Sequence, residues 1–116
     1  MIGNYRVITL CGSTKFKDEF IEAQKELTLR GNIVISVGLF SHSDDDVLND
    51  RMKEMLDDMH KRKIDMADEI MVIDVNGYIG ESTQNEIEYA KLQGKPVNYY
   101  SAIDHYEDFA KKENRL

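Results

Sequence analysis

The run CGSTK at residues 11–15 combines residue types that can hold an anion. Gly12 lets the backbone turn sharply and come close to a ligand. Ser13 and Thr14 offer hydroxyl donors, Lys15 offers a positive charge, and a helix that follows would direct its first N–H groups to the same place. The run could therefore bind a phosphate, although the second half of a Walker A loop is absent. The alternative is an ordinary helix cap formed by Ser13 or Thr14.

A second run, GYIGESTQNE at residues 77–86, also carries glycines and polar residues. Gly80 and the glycine before it permit a tight loop, and Ser82 or Thr83 would cap the next helix. Glu86 would then lie in the first turn, where the helix dipole keeps a carboxylate ionised, as suits a nucleophile. The alternative is a capping box, Thr83-x-x-Glu86, in which the glutamate only hydrogen-bonds back to the cap.

Other titratable residues stand between these two runs. Asp65 and Asp68 come just before an apolar segment, and one of them could reach a ligand; solvation of a helix end is the alternative. None of the three histidines has metal-ligand spacing supported by cysteines or a clear carboxylate set, so we predict no metal site and no cofactor. The three aspartates at residues 44–46 are predicted to be a solvated loop.

Short apolar segments must position these residues. Four of them are rich in β-formers and are predicted as strands at residues 5–11, 32–37, 69–75 and 96–100. Helices are predicted at residues 16–30, 48–66, 82–93 and 104–112, the second of them with a possible break. This alternation predicts a doubly wound, Rossmann- or flavodoxin-like parallel sheet of four to five strands in a three-layer domain. Ligands bind beyond the carboxyl ends of such strands, where both glycine-bearing runs fall.

Length and composition define the class of protein. The 116 residues suit one domain over residues 1–116, and 41% hydrophobic with 32% charged residues indicates a folded, water-compatible chain. The net charge of −7 argues against binding to duplex nucleic acid or an anionic membrane. The single cysteine excludes an intramolecular disulfide and fits a cytoplasmic location. We find no signal peptide and no apolar run long enough to span a membrane.

The predicted helix at residues 48–66 carries an apolar stripe among many charges. This stripe consists of Met52, Met55, Leu56, Met59 and Lys63. Methionines at helical spacing are more often core than a partner surface, and both alternatives stay open here. Because the segment is otherwise charged, we predict a homodimer or larger assembly that uses residues 50–63.

Taken together, these segments resemble the nucleoside 2-deoxyribosyltransferase superfamily, from residue 7 to about residue 99. The sequence TLCGSTK at residues 9–15 is similar to the first strand and loop of the 2′-deoxynucleoside 5′-monophosphate N-glycosidase branch. That loop holds the 5′-phosphate in the branch, and the resemblance gives this role to Ser13 and Lys15. Gly12, Gly80, Ser82 and Thr83 complete the substrate contacts that we expect.

The resemblance continues into the second half of the chain. ADEIMV at residues 67–72 is similar to the family's strand entry, and NEIEYA at residues 85–90, followed by GKPV, resembles its nucleophile helix. The resemblance thus implies that Glu86 is the catalytic nucleophile. Asp65 is the candidate for the family's second catalytic carboxylate, although it is shifted in register. Thr9 stands where many members carry a tyrosine.

The functional hypotheses are therefore three. The first is an enzyme that cleaves or transfers the N-glycosidic bond of a (deoxy)nucleoside or its 5′-monophosphate through a glutamyl intermediate. The second is a non-catalytic nucleotide-binding or sensing module on the same scaffold. The third is a structural partner that uses the methionine-rich helix, which would not require two glycine loops at the ligand end of the sheet.

Overall fold

A parallel sheet organises the chain in the computed structural model, which describes residues 3–103. Its strands are β1 (Val7–Gly12), β2 (Ile33–Ile35), β3 (Glu69–Ile73) and β4 (Val97–Tyr99). The spatial order is β2-β1-β3-β4, and every pairing is parallel. The prediction of a doubly wound α/β domain is confirmed, with four strands in the described part of the chain.

Three α-helices connect these strands. They are α1 (Lys17–Leu29), α2 (Asp50–Asp65) and α3 (Glu81–Leu92), and two short 3-10 turns follow β3 and β4. One core contains Phe20 and Leu27 of α1 packed on Leu10 of the sheet. The other joins α2 and α3 to the opposite face and contains Ile64 and Ile87. The sheet is therefore covered on both sides, as a parallel sheet requires.

The central strands are buried because each has a neighbour on both edges and helices on both faces. Residues 8–11 of β1 and 70–73 of β3 are all buried, whereas β2 and β4 at the edges are only partly so. The second strand is shorter than expected: only Ile33–Ile35 pairs with β1, and the chain leaves the sheet before residue 37.

The long charged helix α2 is unbroken. Asn49 caps it, with its side-chain oxygen accepting a hydrogen bond from the Met52 N–H group at 2.8 Å. The interpretation of its methionine stripe as core is wrong, because Met52, Met55 and Met59 are 43–49% exposed. The helix instead packs through Ile64 and His60.

Two further sequence predictions concern the last predicted helix and the absence of a membrane span. The predicted helix at residues 104–112 lies outside the described residues. Within residues 3–103, no helix has the length and apolar character needed to cross a membrane.

Gly12, the last residue of β1, has no room for a side chain. Its φ angle is +156°, and an added Cβ would lie 3.1 Å from the Ile73 Cβ and carbonyl oxygen. We expect Gly12→Ala to lower the free energy of unfolding by about 2–3 kcal/mol, measured by urea unfolding, because strain and overpacking add. Gly80→Ala is the matched control: its φ is ordinary and its nearest contact, the Tyr78 hydroxyl, lies at 3.4 Å. Equal stability losses in both variants would contradict this account.

Candidate functional site

A cleft of about 490 Å³ opens at the carboxyl ends of the strands. The loops after β1 and β2, one face of α2 and the start of α3 form its walls. This position is the one that parallel sheets generally use for ligands, and the volume lies within the range of small-molecule sites. The cleft is therefore the candidate functional site of the described chain.

Three chemically distinct side chains meet at the floor of this cleft, where His60 and Glu86 line the space and Cys11 is buried against them. The Sγ atom of Cys11 lies 3.4 Å from Nε2 of His60, and that nitrogen lies 3.9 Å from Oε1 of Glu86. Their ligand atoms are all within 4.8 Å of one another. Each residue comes from a different element, since Cys11 is on β1, His60 on α2 and Glu86 on α3.

Polar contacts with the sheet hold α2 against this cluster. The buried Thr9 hydroxyl on β1 donates a hydrogen bond to the Lys63 carbonyl at 2.9 Å. The Lys63 ammonium group donates to the carbonyls of Ser36 and Val37 at 2.9 and 3.2 Å. Because these bonds join α2 to β1 and to the loop after β2, they fix the height and rotation at which α2 presents His60.

The capping-box alternative for Glu86 is wrong. The N-cap of α3 is Gly80, without a side-chain hydrogen bond, and the helix begins at Glu81. Glu86 is therefore the sixth helical residue, beyond the first turn, and its carboxyl group has no capping role. Ser82 and Thr83 lie inside the helix instead of capping it.

Burial also overturns the expectation that the helix dipole keeps Glu86 ionised. Desolvation raises the pKa of the Glu86 carboxyl to about 7, and the negative charge of Asp57 acts in the same direction. A hydrogen bond with Cys11 offsets part of this rise in pKa. The carboxyl group thus titrates near neutral pH, which is where a group that gains and loses charge during catalysis is most useful.

His60 and Cys11 are uncharged beside it. Burial, together with the charge of Lys63, lowers the pKa of His60 to about 4, and a hydrogen bond with the Leu10 backbone acts in the opposite direction. The contact between His60 and Glu86 is therefore not an ion pair at neutral pH. Burial raises the pKa of the Cys11 thiol well above its ordinary value, so this cysteine is a thiol and not a reactive thiolate.

The loop after β1 does not cap α1. That helix begins at Lys17 after Phe16, without a side-chain cap, so the capping alternative for Ser13 and Thr14 is wrong. Ser13 accepts a hydrogen bond from the Lys15 N–H group at 3.4 Å, and the Thr14 hydroxyl lies 2.8 Å from Nδ1 of His42. This second contact links the loop after β1 to the loop after β2 across the mouth of the cleft.

Most of the predicted substrate-binding residues line the cleft. They are Gly12, Ser13, Gly80, Ser82 and Thr83. Lys15 does not line it directly. Its ammonium group lies 3.7 Å from the ring centroid of Tyr78, a residue that does form part of the wall.

Asp65 lies outside the cleft, which removes it from the candidate catalytic residues. It ends α2, where its carboxylate accepts a hydrogen bond from the Tyr89 hydroxyl at 2.6 Å and pairs with Arg62 at 2.8 Å. Since α2 runs antiparallel to the strands, its last turn lies at the amino edge of the sheet, close to the start of β3. The carboxylate that does reach the cleft from α2 is Asp57.

No site role was predicted for Cys11, Asp57 or His60, although the spacing of residues along α2 carries a signal for Asp57 and His60. Cleft residues of α2 recur at intervals of three and four, which is the spacing of one helix face. They are Lys53, Leu56, Asp57, Met59, His60 and Lys63. The predicted methionine-rich stripe shares Leu56, Met59 and Lys63 with this face, but it is defined by hydrophobicity and therefore omits Asp57 and His60.

Comparison with models of known protein families gives no match, and neither does comparison with curated protein sequences.

The raised pKa of Glu86 predicts a pH-dependent stability difference between the wild type and Glu86→Gln. Unfolded glutamate ionises near pH 4.3, but folded Glu86 only near pH 7, so the wild type loses stability as pH rises between these values. The amide never ionises. We expect the variant's stability relative to wild type to increase by on the order of 3 kcal/mol from about pH 4 to about pH 8.

Urea unfolding at several pH values measures this difference. His60 contributes the opposite trend in both proteins, because its lowered pKa costs stability as pH falls, so the comparison isolates Glu86. Glu88→Gln, on an exposed position of the same helix, serves as the control and should show little change. A pH-independent difference for Glu86→Gln would show that its carboxyl is not desolvated.

Proposed function

We propose that this chain cleaves or transfers the N-glycosidic bond of a (deoxy)nucleoside or its 5′-monophosphate, with Glu86 as the nucleophile. The observation that carries the proposal is the placement of Glu86 at the floor of the cleft, with its side chain 17% exposed and no capping role. The resemblance of residues 85–90 to the nucleophile helix of nucleoside 2-deoxyribosyltransferases supports the same residue.

The reaction follows from the chemistry of a buried carboxylate. Ionised Glu86 attacks the anomeric carbon while the bond to the base breaks and its electron pair leaves with the base. A glycosyl ester forms on Glu86, and attack by water or by a second base releases it with overall retention. The transition state carries positive charge on the sugar, which a nearby carboxylate stabilises more strongly in a poorly solvated cleft than in water.

The walls of the cleft supply the remaining contacts. The loop after β1, with Gly12, Ser13 and Thr14, provides backbone and hydroxyl donors for a 5′-phosphate or 5′-hydroxyl. Lys53 on α2 adds a positive charge to the lining. Donors at the start of α3, including Ser82, face the same space and can hydrogen-bond the leaving base.

The proposed nucleophile predicts a sharp effect of Glu86→Gln on turnover. The amide keeps the shape of the side chain but cannot attack, so base release should fall by at least about 10³-fold. Binding of the nucleotide should change little. Incubation with a panel of nucleosides and 5′-monophosphates, followed by chromatography of free base, measures turnover, and calorimetry measures binding.

Glu88→Gln is the matched control and should keep wild-type turnover, because it is exposed on another face of α3. Mass spectrometry of the wild type with slowly resolved substrates should find a sugar adduct on Glu86. Wild-type turnover in Glu86→Gln would overturn the catalytic assignment. Nucleotide binding without turnover in the wild type would instead support the alternative of a binding or sensing module.

We also propose that the exposed methionines of α2 mediate a homodimer. Met52 and Met55 are 45% and 49% exposed on an otherwise charged helix, and adaptable methionine side chains suit a protein interface. Met55→Lys should shift the sedimentation of the wild-type dimer to that of a monomer. Leu92→Lys, at an 84% exposed position of α3, is the control and should leave the dimer intact. A monomeric wild type at high concentration would contradict the proposal.

A further inference from the structure

Cys11, His60 and Glu86 form a set of donors that has a second chemical use beyond nucleophilic attack. A thiolate sulfur, an imidazole nitrogen and a carboxylate oxygen are the three ligand types that zinc uses in proteins. Edges of a tetrahedral zinc site with such ligands measure about 3.3–3.8 Å, from the usual metal–ligand distances. The observed separations of 3.4 and 3.9 Å are close to those values. Small rotations of the side chains would therefore bring all three to one ion.

We infer that Cys11, His60 and Glu86 bind one thiophilic divalent cation, for which zinc is the natural probe, at the floor of the cleft. We infer also that the bound ion blocks attack by Glu86. Only this second part rests on the proposed function.

Charge balance supports a divalent ion at this place. Cys11 and His60 are buried and Glu86 is largely so, which makes an uncompensated charge expensive there. On coordination the Cys11 thiol loses its proton to solvent as the sulfur–metal bond forms. Thiolate and carboxylate then carry two negative charges, which a dication neutralises within the cluster. Asp57 and Lys63 also line the cleft and carry charges of opposite sign.

Three features of the cluster are typical of metal sites: a fixed histidine, an open coordination position and soft ligand atoms. His60 is buried and α2, which carries it, is anchored to β1 by the hydrogen bond from the Thr9 hydroxyl to the Lys63 carbonyl, so the position of the ligating ring is fixed. The three ligands leave a fourth position open towards the cleft, because His60 and Glu86 line it. Sulfur and imidazole ligands favour zinc over magnesium or calcium, which prefer oxygen.

Titration of the chelator-treated full chain with cobalt(II) and zinc tests this inference without any turnover assay. We expect one equivalent of cobalt(II) to produce a thiolate-to-metal charge-transfer absorption, and zinc to displace it. Cys11→Ser should abolish this absorption. Glu86→Gln should weaken zinc binding by at least about 100-fold, since losing an outer contact alone costs 10–100-fold. Glu86→Gln should also remain folded even if Cys11→Ser does not, because it removes a buried carboxyl that is costly to ionise and so should not destabilise the protein at neutral pH.

Asp45→Asn is the matched control for weak binding by the exposed aspartates at residues 44–46, and it should bind zinc as the wild type does. Absence of stoichiometric binding, or binding lost only in Asp45→Asn, would overturn the inference. In the activity arm, zinc should suppress base release and a chelator should restore it. Zinc binding without any turnover leaves the metal site standing and refutes the glycosidase proposal, whereas turnover that zinc does not affect refutes the inhibitory part alone.

Discussion

The removal of the Glu86 carboxyl from solvent is the constraint on which the chemistry of the cleft depends. With its side chain 17% exposed and Asp57 nearby, its pKa rises to about 7. The neighbours that exclude water, Cys11 and His60, are themselves neutral at neutral pH and supply no charge to hold the carboxylate. A positive partner that replaces the proton therefore stabilises this carboxylate more than it would stabilise an exposed glutamate, which water already solvates.

This arrangement depends in turn on the central position of β1. Its penultimate residue, Cys11, is fully buried on the face covered by α2 and α3, and Gly12 then allows the chain to leave the sheet beside Ile73. Thr9 on the same strand anchors α2 through the Lys63 carbonyl. A single strand thus sets the floor of the cleft, the start of the loop after β1 and the position of the helix that carries His60.

Periodicity and glycine placement predicted the fold and two parts of the cleft wall, the loop after β1 and the start of α3, because both are local properties of the sequence. The cluster at the floor was not predicted, since it depends on which face α2 turns towards the sheet. The start of a helix is harder to predict than its existence. Glu86 was expected in the first turn of α3, but the helix begins at Glu81, so Glu86 lies beyond that turn. The expectation that Asp65 lies at the ligand site also depended on a position along a helix. Asp65 lies eight residues beyond Asp57, roughly 12 Å further along the helix axis, at the opposite edge of the sheet.

The negative charge of a buried carboxylate beside two neutral side chains can be compensated in three ways. In the resting protein a bound proton neutralises it, which is why the pKa of Glu86 lies near 7. During glycosidic cleavage the positive charge that develops on the sugar would take the place of that proton. A divalent cation held with Cys11 and His60 would do the same without any reaction. The two proposed uses of the cleft therefore have one origin, and they exclude each other because they compete for the same carboxylate.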